Sequence, residues 1–167
     1  MTAQKNLVLE DSQVRHKIRR MAFEIFENNF EEKAIVLAGI EGQGYSLAQL
    51  IEKELKSVSH LQVSTTKVII DKAAPEESEV TLSVDADQLE KKTIIIVDDV
   101  LNTGRTLAYA MKPFLCIEVK KIEVAVLVNR SHPLFPIQPS YTGYELSTTL
   151  TEHVEVVLGK KAGVYLH

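Results

Sequence analysis

The sequence predicts an α/β domain in which helices flank a mainly parallel β-sheet. Short runs of β-branched, apolar residues alternate along the chain with segments whose apolar residues recur at helical spacing, an alternation typical of parallel sheets. The 167 residues suffice for one domain with a sizeable core, and 45% of them are apolar. No linker or internal repeat interrupts the pattern, so we expect a single domain over residues 1–167.

The N-terminal third predicts a short strand, a helix and a second strand. Residues 7–9 are apolar, and Asp11 or Ser12 can cap the following helix by accepting from free backbone N–H groups. The helix is expected to end near Asn28, and a buried strand is expected over residues 34–38. The apolar stripe of the helix has spacings of four, three and four residues and consists of Val14, Ile18, Met21 and Ile25.

The middle of the chain predicts a glycine-rich turn over residues 39–44 and a helix over 46–56. Residues 61–70 are rich in Val, Thr and Ile and predict a strand or a pair of strands. A polar loop with Pro75 is expected over 71–79, and a more exposed strand over 80–84.

The C-terminal half contains the strongest strand signal, residues 93–97. A polar turn over 98–105 and a helix over 106–112 are expected after it, with Pro113 near the helix end. Further strands are predicted over residues 122–128, 154–158 and 164–166.

Composition excludes some classes of function. The net charge of −4 and the pI of about 5.8 give no basic footprint of the kind that nucleic-acid binders usually show. Cys116 is the single cysteine, so no intramolecular disulfide can form, and we expect it to be a small buried hydrophobe. Residues 1–6, from Met1 to Asn6, lack the apolar run of a signal peptide, and no apolar stretch could cross a bilayer. A cytoplasmic protein without membrane partners is the default expectation.

Chemistry is concentrated in residues 94–106. Asp98 and Asp99 directly follow the predicted strand, and ligands of open α/β sheets bind beyond the carboxyl ends of the strands. Gly104 allows backbone N–H groups to approach a ligand, while Thr103 and Thr106 add hydroxyl donors before a helix N-terminus. Such a turn suits a phosphate monoester.

The two carboxylates would repel that phosphate and therefore need a different partner. Ribose hydroxyls or Mg²⁺ would satisfy them, so the whole segment suits a ribose 5-phosphate. The alternative is that the Asp pair only caps the next helix and Gly104 only turns the chain. The full string after a β-branched run favours the ligand site over this alternative.

This string resembles the diphosphosugar-binding motif of type I phosphoribosyltransferases. The likeness is closer still to the pyrimidine-operon attenuation regulators, which are also uracil phosphoribosyltransferases. It spans most of the chain and is weakest between about residues 61 and 90. Besides residues 97–106, the stretches that carry it are 8–9, 14–15, 22–25, 39–40, 44–48, 124–130, His132, 136–137 and 141–143.

The resemblance implies the type I phosphoribosyltransferase fold, a mainly parallel sheet with flanking helices and a small hood. It implies transfer of ribose 5-phosphate from phosphoribosyl pyrophosphate to a nucleobase, with uracil as the expected base. It also implies that Mg²⁺ binds the departing pyrophosphate. By the same resemblance Asp98 and Asp99 would bind the ribose hydroxyls and could hold the metal directly or through water. The implied substrate-binding residues are Ile40, Glu41, Gly42, Gln43 and Gly44 at the pyrophosphate, Val100, Leu101, Asn102, Thr103, Gly104, Arg105 and Thr106 at the ribose phosphate, and Asn129 and Arg130 near the base and pyrophosphate.

Two segments depart from the family pattern. Close relatives carry Lys-Thr-Arg-Gly where this chain has Glu41-Gly42-Gln43-Gly44, so two cations are replaced and an acid is added. The loop that closes over the substrate in the family corresponds here to residues 67–84, which contain no Arg and only Lys67 and Lys72 as cations. Both changes leave the predicted ribose-phosphate turn intact, but they remove cations that the family uses for catalytic turnover.

Two further hypotheses therefore stand beside the enzyme. One is a catalytically weak or inactive regulator that senses a nucleoside monophosphate or binds RNA, and the other is a degenerate member kept as a dimer partner. The family resemblance suggests a homo-oligomer, at least a dimer. RNA is not favoured, because the one dense basic run is short and typical of a solvated helix face. That run consists of Arg15, His16, Lys17, Arg19 and Arg20.

Overall fold

The computed structural model describes residues 4–167, so the expectation drawn partly from Met1 to Ala3 lies outside the described residues. The helices are α1 (Asp11–Asn28), α2 (Gln43–Val58), α3 (Arg105–Ala110) and α4 (Lys112–Leu115), with one 3₁₀ turn at Ala86–Gln88. The strands are β1 (Asn6–Leu9), β2 (Ala34–Ile40), β3 (Gln62–Ile69), β4 (Thr81–Leu82), β5 (Thr93–Leu101), β6 (Lys121–Asn129), β7 (Tyr141–Glu145), β8 (Val154–Val157) and β9 (Gly163–Leu166).

The main sheet has six strands in the order β4-β3-β2-β5-β6-β7. All neighbours pair in parallel except β3 and β4, so the predicted mainly parallel α/β architecture is confirmed. A separate antiparallel sheet of order β1-β9-β8 forms the predicted hood from the two ends of the described chain. The carboxyl ends of β2 and β5 lie side by side, with Gly39 opposite Val97.

Two apolar cores cover the two faces of the main sheet. The larger packs α1, α2 and the hood against one face, and the smaller packs α3 and α4 against the other. All four residues of the predicted α1 stripe are at most 3% exposed. Burial on both faces explains why β2, β5 and β6 are nearly continuous apolar runs instead of alternating ones.

Helix α1 begins differently from the prediction. Glu10 occupies the N-cap, and its backbone N–H donates to Gln13 Oε1 at 2.9 Å. Asp11 instead accepts from the Arg15 guanidinium at 2.9 Å and from the Ala162 backbone N–H at 2.7 Å. Asp11 therefore ties α1 to the turn between β8 and β9 of the hood.

Several predicted boundaries were wrong. Strand β5 continues to Leu101, three residues past Asp98, because the parallel ladder with β6 continues through Val100 and Leu101. Strand β4 is only two residues long, and β7 was not predicted as a strand. The helix expected over 106–112 starts at Arg105 and is interrupted at Met111, so Pro113 lies inside the second segment, α4.

The exposure of one side chain also differs from the prediction. Cys116 is exposed after α4 and is not a buried hydrophobe. Tyr141 on β7 is fully buried, and its hydroxyl donates to Glu123 Oε2 at 3.0 Å. Within residues 4–167, no helix combines the length and apolar character that crossing a membrane requires.

Candidate active site

The predicted Asp pair lies where β5 meets the start of α2. Asp98 is only 3% exposed. Gly44 makes this close packing possible, since a Cβ on Gly44 would lie 2.8 Å from the Val97 carbonyl oxygen and 2.9 Å from Asp98 Oδ1. The sequence therefore needs glycine here so that the pyrophosphate loop (residues 40–44) and the Asp pair can be adjacent.

Burial perturbs Asp98 electrostatically. Loss of solvent raises the pKa of the Asp98 carboxyl to about 7, and the charge of Asp99 adds to this rise, while Lys72 opposes it. Two donors partly compensate the buried carboxylate: the Asp99 backbone N–H at 2.9 Å and the Lys72 ammonium at 3.3 Å, both to Oδ1. A buried carboxyl with such a perturbed pKa is a common mark of a functional site.

The ribose-phosphate loop (residues 102–106) is a fixed turn. Gly104 has φ of +85°, in the left-handed region that favours glycine. The Thr103 carbonyl accepts from the backbone N–H groups of Leu134 and Phe135 at 2.9 and 3.0 Å. Helix α3 has only six residues, so its dipole is small, and the N–H groups and hydroxyls of the turn itself are the main donors for an anion.

A cavity of about 280 Å³ joins the Asp pair to this loop. One wall is the end of β5 and the loop after it, and the opposite wall is β8 of the hood. The lining residues are Lys72, Asp98, Asp99, Val100, Leu101, Asn102, Thr103, Gly104, Arg105, Thr106, Leu107, His153, Val154, Glu155 and Val156.

Asn129 and Arg130 lie outside this lining. The buried Arg130 guanidinium donates to Asn102 Oδ1 at 2.7 Å, and it donates also to Thr148 Oγ1 at 3.0 Å and to the Glu152 carbonyl at 2.6 Å. Arg130 thus anchors the ribose-phosphate loop to the segment before β8. Asn129 instead lines a neighbouring cavity of about 360 Å³.

The pyrophosphate loop is held mainly by its backbone. Ile40 is fully buried, and the Glu41 N–H donates to the Val68 carbonyl at 2.9 Å. Gly42 has φ of +99°, and helix α2 begins directly after it, three residues earlier than predicted. Gln43 Oε1 accepts from the Leu158 N–H at 3.2 Å, which links this loop to the hood. The loop contains no cationic side chain.

A family model described as the phosphoribosyl transferase domain matches residues 8–158. The chain belongs to this phosphoribosyltransferase family. It is similar to the "Bifunctional protein PyrR" of Brevibacillus brevis, with 31% identity over 93% of this chain and 91% of the relative. The protein of the same name from Enterococcus faecalis is 33% identical over 95% of this chain and 93% of the relative.

Solved structures support the fold of this phosphoribosyltransferase. The hypoxanthine phosphoribosyltransferase of Trypanosoma cruzi matches with a TM-score of 0.75 at 14% identity and covers 95% of both chains. A hypoxanthine-guanine phosphoribosyltransferase from Bacillus anthracis matches with a TM-score of 0.70 at 18% identity, over 88% of this chain and 85% of that one. The predicted type I phosphoribosyltransferase fold is thereby confirmed.

Sequence reasoning missed the hood wall of the cavity. His153 and Glu155 of this phosphoribosyltransferase lie more than 45 residues beyond the Asp pair, and no spacing signal in the sequence links them to it. Glu155 forms an ion pair with Lys5 at 2.7 Å and a hydrogen bond with the His167 ring at 2.9 Å, and these contacts hold the pKa of the Glu155 carboxyl below its usual range. The pairing of β9 with both β1 and β8 in the hood brings Lys5, Glu155 and His167 together.

Proposed function

We propose that this phosphoribosyltransferase moves ribose 5-phosphate from phosphoribosyl pyrophosphate to a ring nitrogen of a nucleobase, with uracil as the first candidate. The observation that carries the proposal is the cavity whose lining includes both carboxylates of the Asp pair and the glycine turn with its Thr103 and Thr106 hydroxyls. The relatives named bifunctional, at 31% and 33% identity, support uracil because the sequence resembles attenuation regulators with uracil phosphoribosyltransferase activity.

In this reaction the bond between ribose C1 and the pyrophosphate oxygen breaks, and a bond between C1 and the base nitrogen forms. Positive charge develops on the ribose ring, and the carboxylates of Asp98 and Asp99 would stabilise it while binding the ribose hydroxyls. The N–H groups of residues 102–106, with the Thr103 and Thr106 hydroxyls and Arg105, would hold the 5-phosphate. The side chains of Val100 and Leu101 would bound the sugar.

Mg²⁺ fits the donor set at this site. No group of three or more His, Cys, Asp or Glu side chains able to hold a metal occurs among residues 4–167. Mg²⁺ often uses only one or two carboxylates together with waters and substrate phosphates, so the Asp pair is a sufficient protein contribution. When bound, the ion would neutralise charge on the departing pyrophosphate.

The remaining predicted substrate contacts are part of the proposal. Residues 40–44 would bind the pyrophosphate by donating from backbone N–H groups other than that of Glu41, which is engaged by Val68, since Ile40, Glu41, Gly42, Gln43 and Gly44 offer no cation. Asn129 would contact the base or pyrophosphate from the neighbouring cavity. Arg130 would act mainly by positioning Asn102, to which it donates.

A second candidate function is a nucleotide-sensing regulator that retains the ribose-phosphate site and has lost turnover. The acid at position 41 and the missing cations of the pyrophosphate loop favour it. RNA binding is less favoured, because Arg15, Arg19 and Arg20 on α1 are each paired with a carboxylate. The expected homo-oligomer and the cytoplasmic location stay predictions.

Pyrophosphate release tests the two candidates against each other. The purified protein would be mixed with phosphoribosyl pyrophosphate, Mg²⁺ and one base at a time, uracil first, then hypoxanthine and guanine. Release that depends on one base supports the enzyme and names its acceptor. No release with any base, together with calorimetric binding of a nucleoside monophosphate, would support the regulator instead.

A further inference from the structure

The segment between β3 and β4 contacts the candidate site at two points. The Lys72 ammonium lies 3.3 Å from Asp98 Oδ1, and the Glu76 carboxylate forms an ion pair with the Arg105 guanidinium. Asp98 and Arg105 are the residues proposed to bind the sugar and its phosphate. The segment therefore engages both ends of the site.

Local structure fixes how this segment presents Glu76. Pro75 is buried, so the segment is anchored at the residue just before Glu76. The Glu77 N–H donates to the Ala74 carbonyl at 3.1 Å, which closes a turn with Pro75 and Glu76 at its centre. The Ala73 N–H donates to Asp71 Oδ1 at 2.9 Å and stabilises the start of the segment. The contact with Arg105 is thus made by an ordered turn.

The two contacts carry the charges that the ligand would bring. Glu76 places a carboxylate on Arg105, where a 5-phosphate would place its own oxygens. Lys72 places a cation on Asp98, where hydroxyl donors or a metal would lie. Glu76 engages the Nη2 donor of Arg105, so a 5-phosphate that used the same donor would have to displace this contact.

We propose that residues 71–79 are an internal latch, in which Glu76 competes with the ligand's 5-phosphate for Arg105. This inference rests on the proposed function of the ribose-phosphate loop. The competition is moderate in size, because the Glu76 and Arg105 side chains are 43% and 40% exposed and solvent screens their attraction. Removing the carboxylate should tighten ligand binding by about 2- to 5-fold.

Calorimetric titration with ribose 5-phosphate tests the latch. Glu76→Gln should bind more tightly than the wild type by that factor. Glu77→Gln is the matched control, because it removes the same charge from the adjacent exposed residue, whose side chain has no ion pair among the described residues. The control should stay within about 1.5-fold of the wild type. An equal gain in both variants would overturn the latch, because a general reduction of negative charge would then explain it.

Hydrogen exchange of residues 71–79 separates failure of the latch from failure of the site. Without ligand, the Glu77 backbone amide should exchange its hydrogen faster in the Glu76→Gln variant than in the wild type. In the wild type, saturating ribose 5-phosphate should raise the exchange rate of the same amide. If the wild type and Glu76→Gln bind the sugar phosphate equally and exchange equally, the site stands and the latch is wrong. If neither protein binds it, the proposed site is wrong, and the latch fails with it.

Discussion

The ribose-phosphate loop and the pyrophosphate loop both place a glycine with positive φ at the N-cap of the following helix, and they differ in their side chains. They follow β5 and β2, which are parallel neighbours, and each contains a glycine with positive φ before a helix, Gly104 at +85° and Gly42 at +99°. The first loop carries Thr103, Arg105 and Thr106, while the second carries Glu41 and Gln43 and no cation. The first loop has cationic and hydroxyl side chains that can donate to an anion, and the second has none.

This difference separates what the fold requires from what the chemistry requires. The turn and its glycines are needed to join each strand to the following helix, so they persist whether or not a ligand binds. The charged and hydroxyl side chains can serve as donors for a ligand, and the Thr103 hydroxyl also accepts from the Arg105 backbone N–H at 3.3 Å within the turn. Likeness of fold by itself therefore supports neither site, and the side chains are what distinguishes the two loops.

The largest expected effect comes from the Asp pair. We expect the double variant Asp98→Asn and Asp99→Asn to lower kcat/KM for pyrophosphate release by about 100-fold or more, because uncharged amides cannot stabilise the cationic ribose ring. Steady-state kinetics with phosphoribosyl pyrophosphate and uracil would measure the loss. Asp87→Asn, an exposed change in the 3₁₀ turn, should leave kcat/KM unchanged. A double variant with wild-type turnover would mean that catalysis does not depend on these carboxylates.

A second effect of the Asp pair is expected on stability. Because the pKa of Asp98 is raised to about 7 in the folded protein, ionisation opposes folding, and stability falls as pH rises from about 4 to 7. Asp98→Asn removes that penalty, so its free energy of unfolding should exceed the wild-type value by about 4 kcal/mol at pH 8 and match it below pH 4. Denaturant unfolding at both pH values would measure this.

The matched control for this stability effect is Asp87→Asn, whose side chain is exposed. It should change the free energy of unfolding equally little at pH 4 and pH 8. If Asp98→Asn instead destabilised the protein at pH 8, the contact of the carboxylate with Lys72 would outweigh its burial. Together, the two predictions describe a carboxylate that lowers the free energy of unfolding and that turnover requires.

Sequence periodicity predicted the fold where one physical rule dominated. Val14, Ile18, Met21 and Ile25 on α1 and the apolar run of β5 were found as expected, since burial alone selects such patterns. Strand β7 was missed because Gly143 and polar residues interrupt its pattern, and its pairing with β6 stabilises it instead. The cap of α1 was misplaced by one residue, because Asp11 is used for a tertiary contact with Ala162.

The candidate site was predictable only where it is contiguous. Asp98, Asp99 and the ribose-phosphate loop are contiguous in the sequence. A strand followed by a turn and a helix predicts that they share one site, and all of them line the same cavity. The hood residues His153 and Glu155 and the contacts of Lys72 and Glu76 depend on long-range packing, which local patterns do not contain. Arg130 was assigned by motif to the ligand, but its donors are engaged by Asn102 and the segment before β8.

The smallest expected effect sharpens the comparison between the two loops. Glu41→Lys supplies a cation where the pyrophosphate loop has an acid, and it should tighten binding of phosphoribosyl pyrophosphate about 3- to 5-fold, a modest gain because Glu41 is exposed and screened by salt. Affinity for ribose 5-phosphate should change less than about 2-fold, since its phosphate is assigned to the other loop. Glu31→Lys makes the same charge change in the turn before β2, at the opposite end of the sheet, and should alter neither affinity. Equal gains for both ligands would mean that the loops share one electrostatic field and are not separate subsites, whereas no gain for either would place the pyrophosphate elsewhere.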